Sequence, residues 1–128
     1  TDYIVREVPP LSASIFTVSY DSGDQTITAA GALTLAHSLG TTPKIIQCLL
    51  KCNDAGGDSG YALNDYVFIS DHGFGITTSL GVSIIPDATN LNVKFGSNNP
   101  PFQVARKDNG TLSAIDATKW KFIVRAYA

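Results

Sequence analysis

The stretch His37-Ser-Leu-Gly-Thr-Thr-Pro-Lys-Ile-Ile-Gln-Cys-Leu-Leu-Lys-Cys52 holds both cysteines of the chain and one of its two histidines. Two secondary structures compete for its second half. In a helix, Thr42 would be the N-cap, Pro43 suits the first helical position, and Ile45, Ile46, Leu49 and Leu50 share a face. Cys48 and Cys52 would then sit one turn apart, close enough to share a ligand. In a strand, Ile46, Cys48, Leu50 and Cys52 line one continuous apolar face. The cysteines then lie about 13 Å apart, at about 3.3 Å per residue. That span exceeds the roughly 7 Å Cα limit for a disulfide and is too long for joint metal ligation. Lys44 in the first turn, with no Asp or Glu beside it, disfavours the helix, because a helix N-terminus attracts anions. On the residues alone both readings stay open; the strand reading would make Cys48 and Cys52 small core hydrophobes. No second Cys or His pair completes a metal site, so no metal or other cofactor is expected.

Strand patterns extend outward from this segment. In Asn90–Phe95, Leu91, Val93 and Phe95 alternate with Asn90, Asn92 and Lys94. Near the C-terminal end, Trp120, Phe122, Val124 and Ala126 share one face, with Lys121, Ile123, Arg125 and Tyr127 on the other. That second face is mixed rather than polar, as is the Ile45 and Leu49 face of the opening segment. Ile45, Leu49, Ile123 and Tyr127 are therefore expected to meet another subunit. Further strands are expected at Ser14–Tyr20, Gln25–Ala29, Leu33–Leu39, Tyr66–Ser70, Gly75–Ser79, Val82–Ile85 and Phe102–Lys107. Turn sequences such as YDSGDQ, DHGFG, IPDAT, GSNNPP and KDNGT separate them. Such spacing predicts an all-β, antiparallel sandwich or small barrel spanning residues 14–128.

Residues 1–13 differ. Tyr3, Ile4, Val5 and Val8 are followed by Pro9-Pro10, which stiffens the backbone towards an extended form. The segment reads as an edge strand of its own domain or as an arm that docks on a neighbour's sheet.

At 128 residues, 44% hydrophobic and 16% charged, the chain is globular and long enough to bury a core. A formal charge of −2 argues against non-specific nucleic-acid binding, which needs a basic face. No apolar run approaches the roughly 20 residues that cross a bilayer, and the first residues lack the pattern of a secretion signal. Thr1 is small enough to follow removal of an initiator Met. It is read as the native start of a small protein made in a cytoplasm.

The remaining chemistry-bearing residues point to no reaction. His37 shares a face with Leu33, Leu35 and Leu39, as a strand-end histidine with one nitrogen satisfied by backbone. His72 adjoins Asp71, but a triad needs a nucleophile and no G-x-S-x-G context exists. Gly57-Asp-Ser-Gly60 matches the loop around a serine-protease nucleophile in only four common loop residues. Asp54, Asp58 and Asp65, with Asn53 and Asn64, have oxygen donors for a hard cation. Their spacing is not that of an EF-hand, and they are read as solvated loop acids in a segment with nothing to pack from Asn53 to Gly60. Asn109-Gly-Thr111 reads as a tight turn. The chain is not expected to be an enzyme.

The succession GDQTITAAGALTLAHSLGTTPKIIQCLLKC, GYALNDYVFI, GVSIIPDATNLNVKFG and DATKWKFIVRAYA, from Gly23 to Ala128, resembles small virion proteins of tailed bacteriophages. The most specific elements are LTLAHSLG followed by Pro43-Lys44 and an apolar strand, and the closing Trp120, Phe122, Val124, Arg125 and Ala126. The order of strands is also similar to the H-type lectin sandwich, a trimeric carbohydrate-binding fold. These resemblances imply that Lys44–Cys52 is a strand, within a homotrimeric β-sandwich located on the virion. The first expectation is a capsid decoration (head cement) protein bound to the major capsid protein or another virion protein. Its docking arm would comprise Tyr3, Ile4, Val5, Val8, Pro9 and Pro10. The alternative is a tail-fibre or lectin-like module that binds a host-surface glycan through Tyr61, Asn64, Tyr66, Asn98 and Asn99.

Overall fold

The computed structural model describes residues 15–69 and 79–128. The arm at 1–13, the DHGFG turn and all but the last residue of the strand expected at Gly75–Ser79 lie outside the described residues. Among the described residues ten strands run β1 (Ser19–Asp21), β2 (Gln25–Thr26), β3 (Ala32–Ala36), β4 (Ile45–Cys52), β5 (Tyr66–Ile69), β6 (Val82–Pro86), β7 (Asn90–Phe95), β8 (Gln103–Ala105), β9 (Leu112–Ala114) and β10 (Trp120–Tyr127). A 3₁₀ turn at Ala117–Lys119 precedes β10, capped by Asp116, whose carboxylate accepts from the Thr118 N–H at 3.0 Å.

All ladders are antiparallel. The largest sheet has the order β1-β10-β4-β5, with β2 also paired to β10; β3-β7-β6 form a second sheet, and β8-β9 a third. The segment Ile45–Cys52 is therefore a strand, placed by eight residue pairs with β10. β9 was not expected: Leu112-Ser-Ala is too short to show a period. Its place as partner of β8 follows from Val104 opposite Ser113.

Period-two geometry sorts the apolar residues. Cys48, Leu50 and Cys52 of β4 and Trp120, Phe122, Val124 and Ala126 of β10 join Leu91, Val93 and Phe95 of β7 and Val82 of β6 in one core cluster. Phe95 meets Phe122 edge-on at 5.2 Å between ring centroids, and Phe102 stacks on Phe122 at 6.3 Å. Residues of the two larger sheets and of β8 thus share one core. Each fully buried aromatic contributes roughly 1.5–3 kcal/mol over its exposed state.

Candidate functional site

The inward phase of β4 forces Ile45, Gln47, Leu49 and Lys51 outward. Cross-strand register then builds the outer face: Ile45 opposite Tyr127, Gln47 opposite Arg125, and Leu49 between Ile123 and Phe68. Lys51 lies between Lys121 and Tyr66. Leu49 and Ile123 are only 1% and 4% exposed, whereas Phe68 is 68% exposed, Tyr66 49% and Ile45 45%. Two of the three cations on this band are paired within the chain. Lys51, set against Lys121, turns to Asp24 at 3.1 Å, and Arg125 reaches Asp21 at 3.0 Å. The Tyr127 hydroxyl donates to Gln47 Oε1 at 3.3 Å, and the ring of Phe16 lies 6.0 Å from that of Tyr127. The face is thus apolar along its middle, with Lys51 and Arg125 compensated at its margins.

Of the residues expected at a subunit contact, Leu49 and Ile123 are already buried within the single chain, Tyr127 is half-buried, and Ile45 is exposed. Phe68 was not anticipated, although it is the most exposed apolar side chain of this face. The signal lay in Tyr66-Val-Phe-Ile69, where Val67 and Ile69 pack on the core and Tyr66 and Phe68 turn away. Tyr66, assigned to a ligand loop, belongs to this face.

The loop from Asn53 to Asp65 is not the empty, solvated segment expected. Asp58 Oδ2 accepts from Trp120 Nε1 at 2.9 Å, from the Asp116 N–H at 3.1 Å and from Ser59 Oγ at 3.3 Å. Trp120 is fully buried, and its N–H must have an acceptor. Tyr61 packs edge-on against Trp120 at 5.5 Å and donates its hydroxyl to the Ala105 carbonyl at 2.7 Å. Asp65 accepts from the Ala62 N–H and from Lys107 Nζ at 2.7 Å, and the Lys107 contact first, then the amide, holds its carboxyl below the usual range. Asp54 accepts from the Gly56 N–H. Among the described residues no cluster of three metal-ligating side chains occurs.

Gly57 and Gly60 have φ of +72° and +80°, and a Cβ at Gly57 would lie 2.3 Å from the Tyr61 carbonyl oxygen. The loop encloses a surface hollow of about 440 Å³ lined by residues 55–62. Ser59 is buried, with Oγ 3.2 Å from Ser113 Oγ, and no described histidine bonds to it. His37 is occupied elsewhere. Its Nδ1 accepts from the Leu39 N–H at 3.0 Å, so Nε2 carries the proton donated to the Asp87 carbonyl at 2.8 Å. Backbone thus satisfies both nitrogens, where one was expected. His72 and Asp71 lie outside the described residues.

The five residues of the alternative ligand loop are not gathered in one hollow. Tyr61 lines the loop above, whereas Asn99 lines a separate hollow of about 340 Å³ with Thr26–Ala29, Ala117, Thr118 and Lys121. The Asn98 amide is committed to the Pro100 carbonyl at 2.7 Å, and Asn64, at φ +69°, serves the turn that returns the chain to β5. No protein-family model, curated protein or solved structure matches the chain.

Proposed function

We propose that this chain is a structural protein of a tailed-bacteriophage particle, an antiparallel β-sandwich that assembles as a homotrimer and decorates the capsid surface. In this reading it is made in the host cytoplasm, carries no catalytic or cofactor site, and enters neither nucleic acid nor membrane. The observation that carries the reading is the outer face of the largest sheet. Ile45, Tyr66 and Phe68 expose an apolar band there, while Lys51 and Arg125 are neutralised by Asp24 and Asp21. Such a face gains by association through burial of apolar area, and identical copies around a symmetry axis can each supply it. The likeness of LTLAHSLG and of the Trp120–Ala126 motif to phage virion proteins supports the capsid as the partner. Tyr3, Ile4, Val5, Val8, Pro9 and Pro10 form the docking arm of this reading.

The test is reconstitution on particles that lack the protein. Full-length protein should coat the whole capsid at an occupancy that changes little with salt, because apolar burial rather than ion pairing holds it. Phe68→Asp should keep the fold and lose both the trimer, by light scattering, and the coating. Density confined to the tail tip, or binding of the isolated protein to a glycan array, would overturn the proposal.

A further inference from the structure

Among the described residues β3, Ala32-Leu-Thr-Leu-Ala36, is the edge of its sheet, and its ladder phase is fixed by two bonds at its ends. The Phe95 N–H donates to the Gly31 carbonyl at 2.9 Å and the His37 N–H to the Thr89 carbonyl at 3.1 Å. Backbone groups of Leu33 and Leu35 therefore face β7, while the N–H and C=O of Ala32, Thr34 and Ala36 face away from it. Among the described residues no backbone group pairs with that free side. Proteins normally guard such an edge with a charge, a proline or a bulge. β6, the opposite edge of the same sheet, is guarded: its phase turns the backbone groups of Val82, Ile84 and Pro86 away from β7, and Pro86 has no N–H to offer. β1, at the edge of the largest sheet, carries Asp21. β3 has none of these devices, and no Asp, Glu, Lys or Arg occurs from Thr26 to Thr42.

The side chains are incomplete in the same direction. Leu33 and Leu35 point to the core and pack against it, yet remain only half-buried, and no strand of the described residues continues the sheet beyond them. The strand also reads the same in both directions: Ala, Leu, Thr, Leu, Ala.

We infer that β3 is an interface between two copies of this chain, paired as antiparallel strands about a two-fold axis through Thr34. In that register Thr34 meets Thr34 of the second copy, and Ala32 meets Ala36. These are the residues whose N–H and C=O have no partner among the described residues, so each outward group finds a reciprocal partner. Leu33 meets Leu35 of the second copy on the core side and completes its burial, and the threonines pair on the outer side. A strand without charge incurs no like-charge repulsion when it faces its own copy. The joined sheet runs β6-β7-β3 into β3-β7-β6 of the second copy. The contact leaves the outer face of the largest sheet untouched, so it doubles whatever unit that face builds. Trimers on the three-fold positions of a shell would be linked to their neighbours across two-fold axes.

Cross-linking of the full chain tests the register. Thr34→Cys should form a disulfide-linked pair under mild oxidation in most of the sample, because hydrogen-bonded antiparallel neighbours have Cα atoms about 5.5 Å apart. Ser83→Cys, exposed on the guarded edge, should not. Thr34→Lys and Thr34→Glu should each abolish the doubling in light scattering, and an equimolar mixture of the two should restore it. Thr34→Cys protein that stays unlinked, or a charge-swap mixture that fails to pair, would overturn the inference, as would undiminished doubling in Thr34→Lys. These readouts are independent of the Phe68→Asp test, so either proposal can fail alone.

Discussion

The two larger sheets share a core but turn different outer faces to their surroundings. On the largest sheet the outward residues include Ile45, Leu49, Tyr66, Phe68, Ile123 and Tyr127. On the smaller one they are Ala32, Thr34 and Ala36 of β3, Asn90, Asn92 and Lys94 of β7, and Ser83 and Ile85 of β6. Polar groups of the smaller face are used locally: the Asn92 amide donates to the Ile85 carbonyl and to Asp87, and Lys94 donates to the Ala30 carbonyl. The larger face exposes three large apolar side chains, Phe68, Tyr66 and Ile45, where the smaller one exposes Ile85.

Substitutions can separate core burial from face exposure on the same sheet. The largest effect is expected at the shared core: Phe122→Ala removes the ring that meets both Phe95 and Phe102 and should cost about 3–5 kcal/mol of unfolding free energy, read by urea denaturation. Leu49→Ala and Phe68→Ala then divide the outer face, although the two side chains are cross-strand neighbours. Leu49→Ala should cost about 2–4 kcal/mol because its side chain is buried. Phe68→Ala should change stability by no more than about 0.5 kcal/mol while weakening assembly. Equal losses for the pair would erase the distinction between the face's buried middle and its exposed margin.

Asp58→Ala should come next, at about 1–3 kcal/mol, by leaving the buried Trp120 N–H without an acceptor. Asp58→Asn, which keeps an acceptor oxygen, should lose less. The smallest effect belongs to the polar turn of the smaller sheet. Amides of Thr89 and Asn90, aided by Asn92 and the Thr89 hydroxyl, hold the Asp87 carboxyl down at about 2. Its ordinary unfolded value is about 3.9, so the folded state binds fewer protons between these values. Its stabilisation is present above about pH 4 and is lost as the pH falls through about 2. Urea midpoints measured from pH 5 to 2 should fall less steeply for Asp87→Asn than for the natural chain.

Much of the strand order was legible because alternation survives where one face is buried. Leu91, Val93 and Phe95, and Trp120, Phe122, Val124 and Ala126, are buried as their spacing required. β4 was harder, since Ile45, Ile46, Leu49 and Leu50 fit a helical face as well as a strand. Pairing on both sides, to β10 and β5, resolves it. The Asn53–Asp65 loop was misread because its anchors are remote: Asp58 meets Trp120 across 62 positions, and local sequence carries no trace of such a bond. A usable sign was nevertheless present. A tryptophan on an all-apolar strand face needs a polar partner for its N–H, and an acid in a glycine-rich loop can reach one. The exposure of Phe68 was hidden for another reason: alternation tells which residues oppose one another, not which of the two faces is covered.

The position of β10 has a kinetic consequence. This strand lies between β4 and the pair β1 and β2, so the largest sheet is closed by residues far apart in sequence. Arg125 and Asp21 meet across 104 positions. Loop-closure entropy must be met before those pairings return any stability, which places folding in the slow, millisecond-to-second regime of non-local β topologies. Until β10 docks, the edge of β4 that it will cover stays unpaired and the apolar residues of β4 are open to water. Speed of β10 docking, more than final stability, should then govern the yield of correctly folded protein at high concentration.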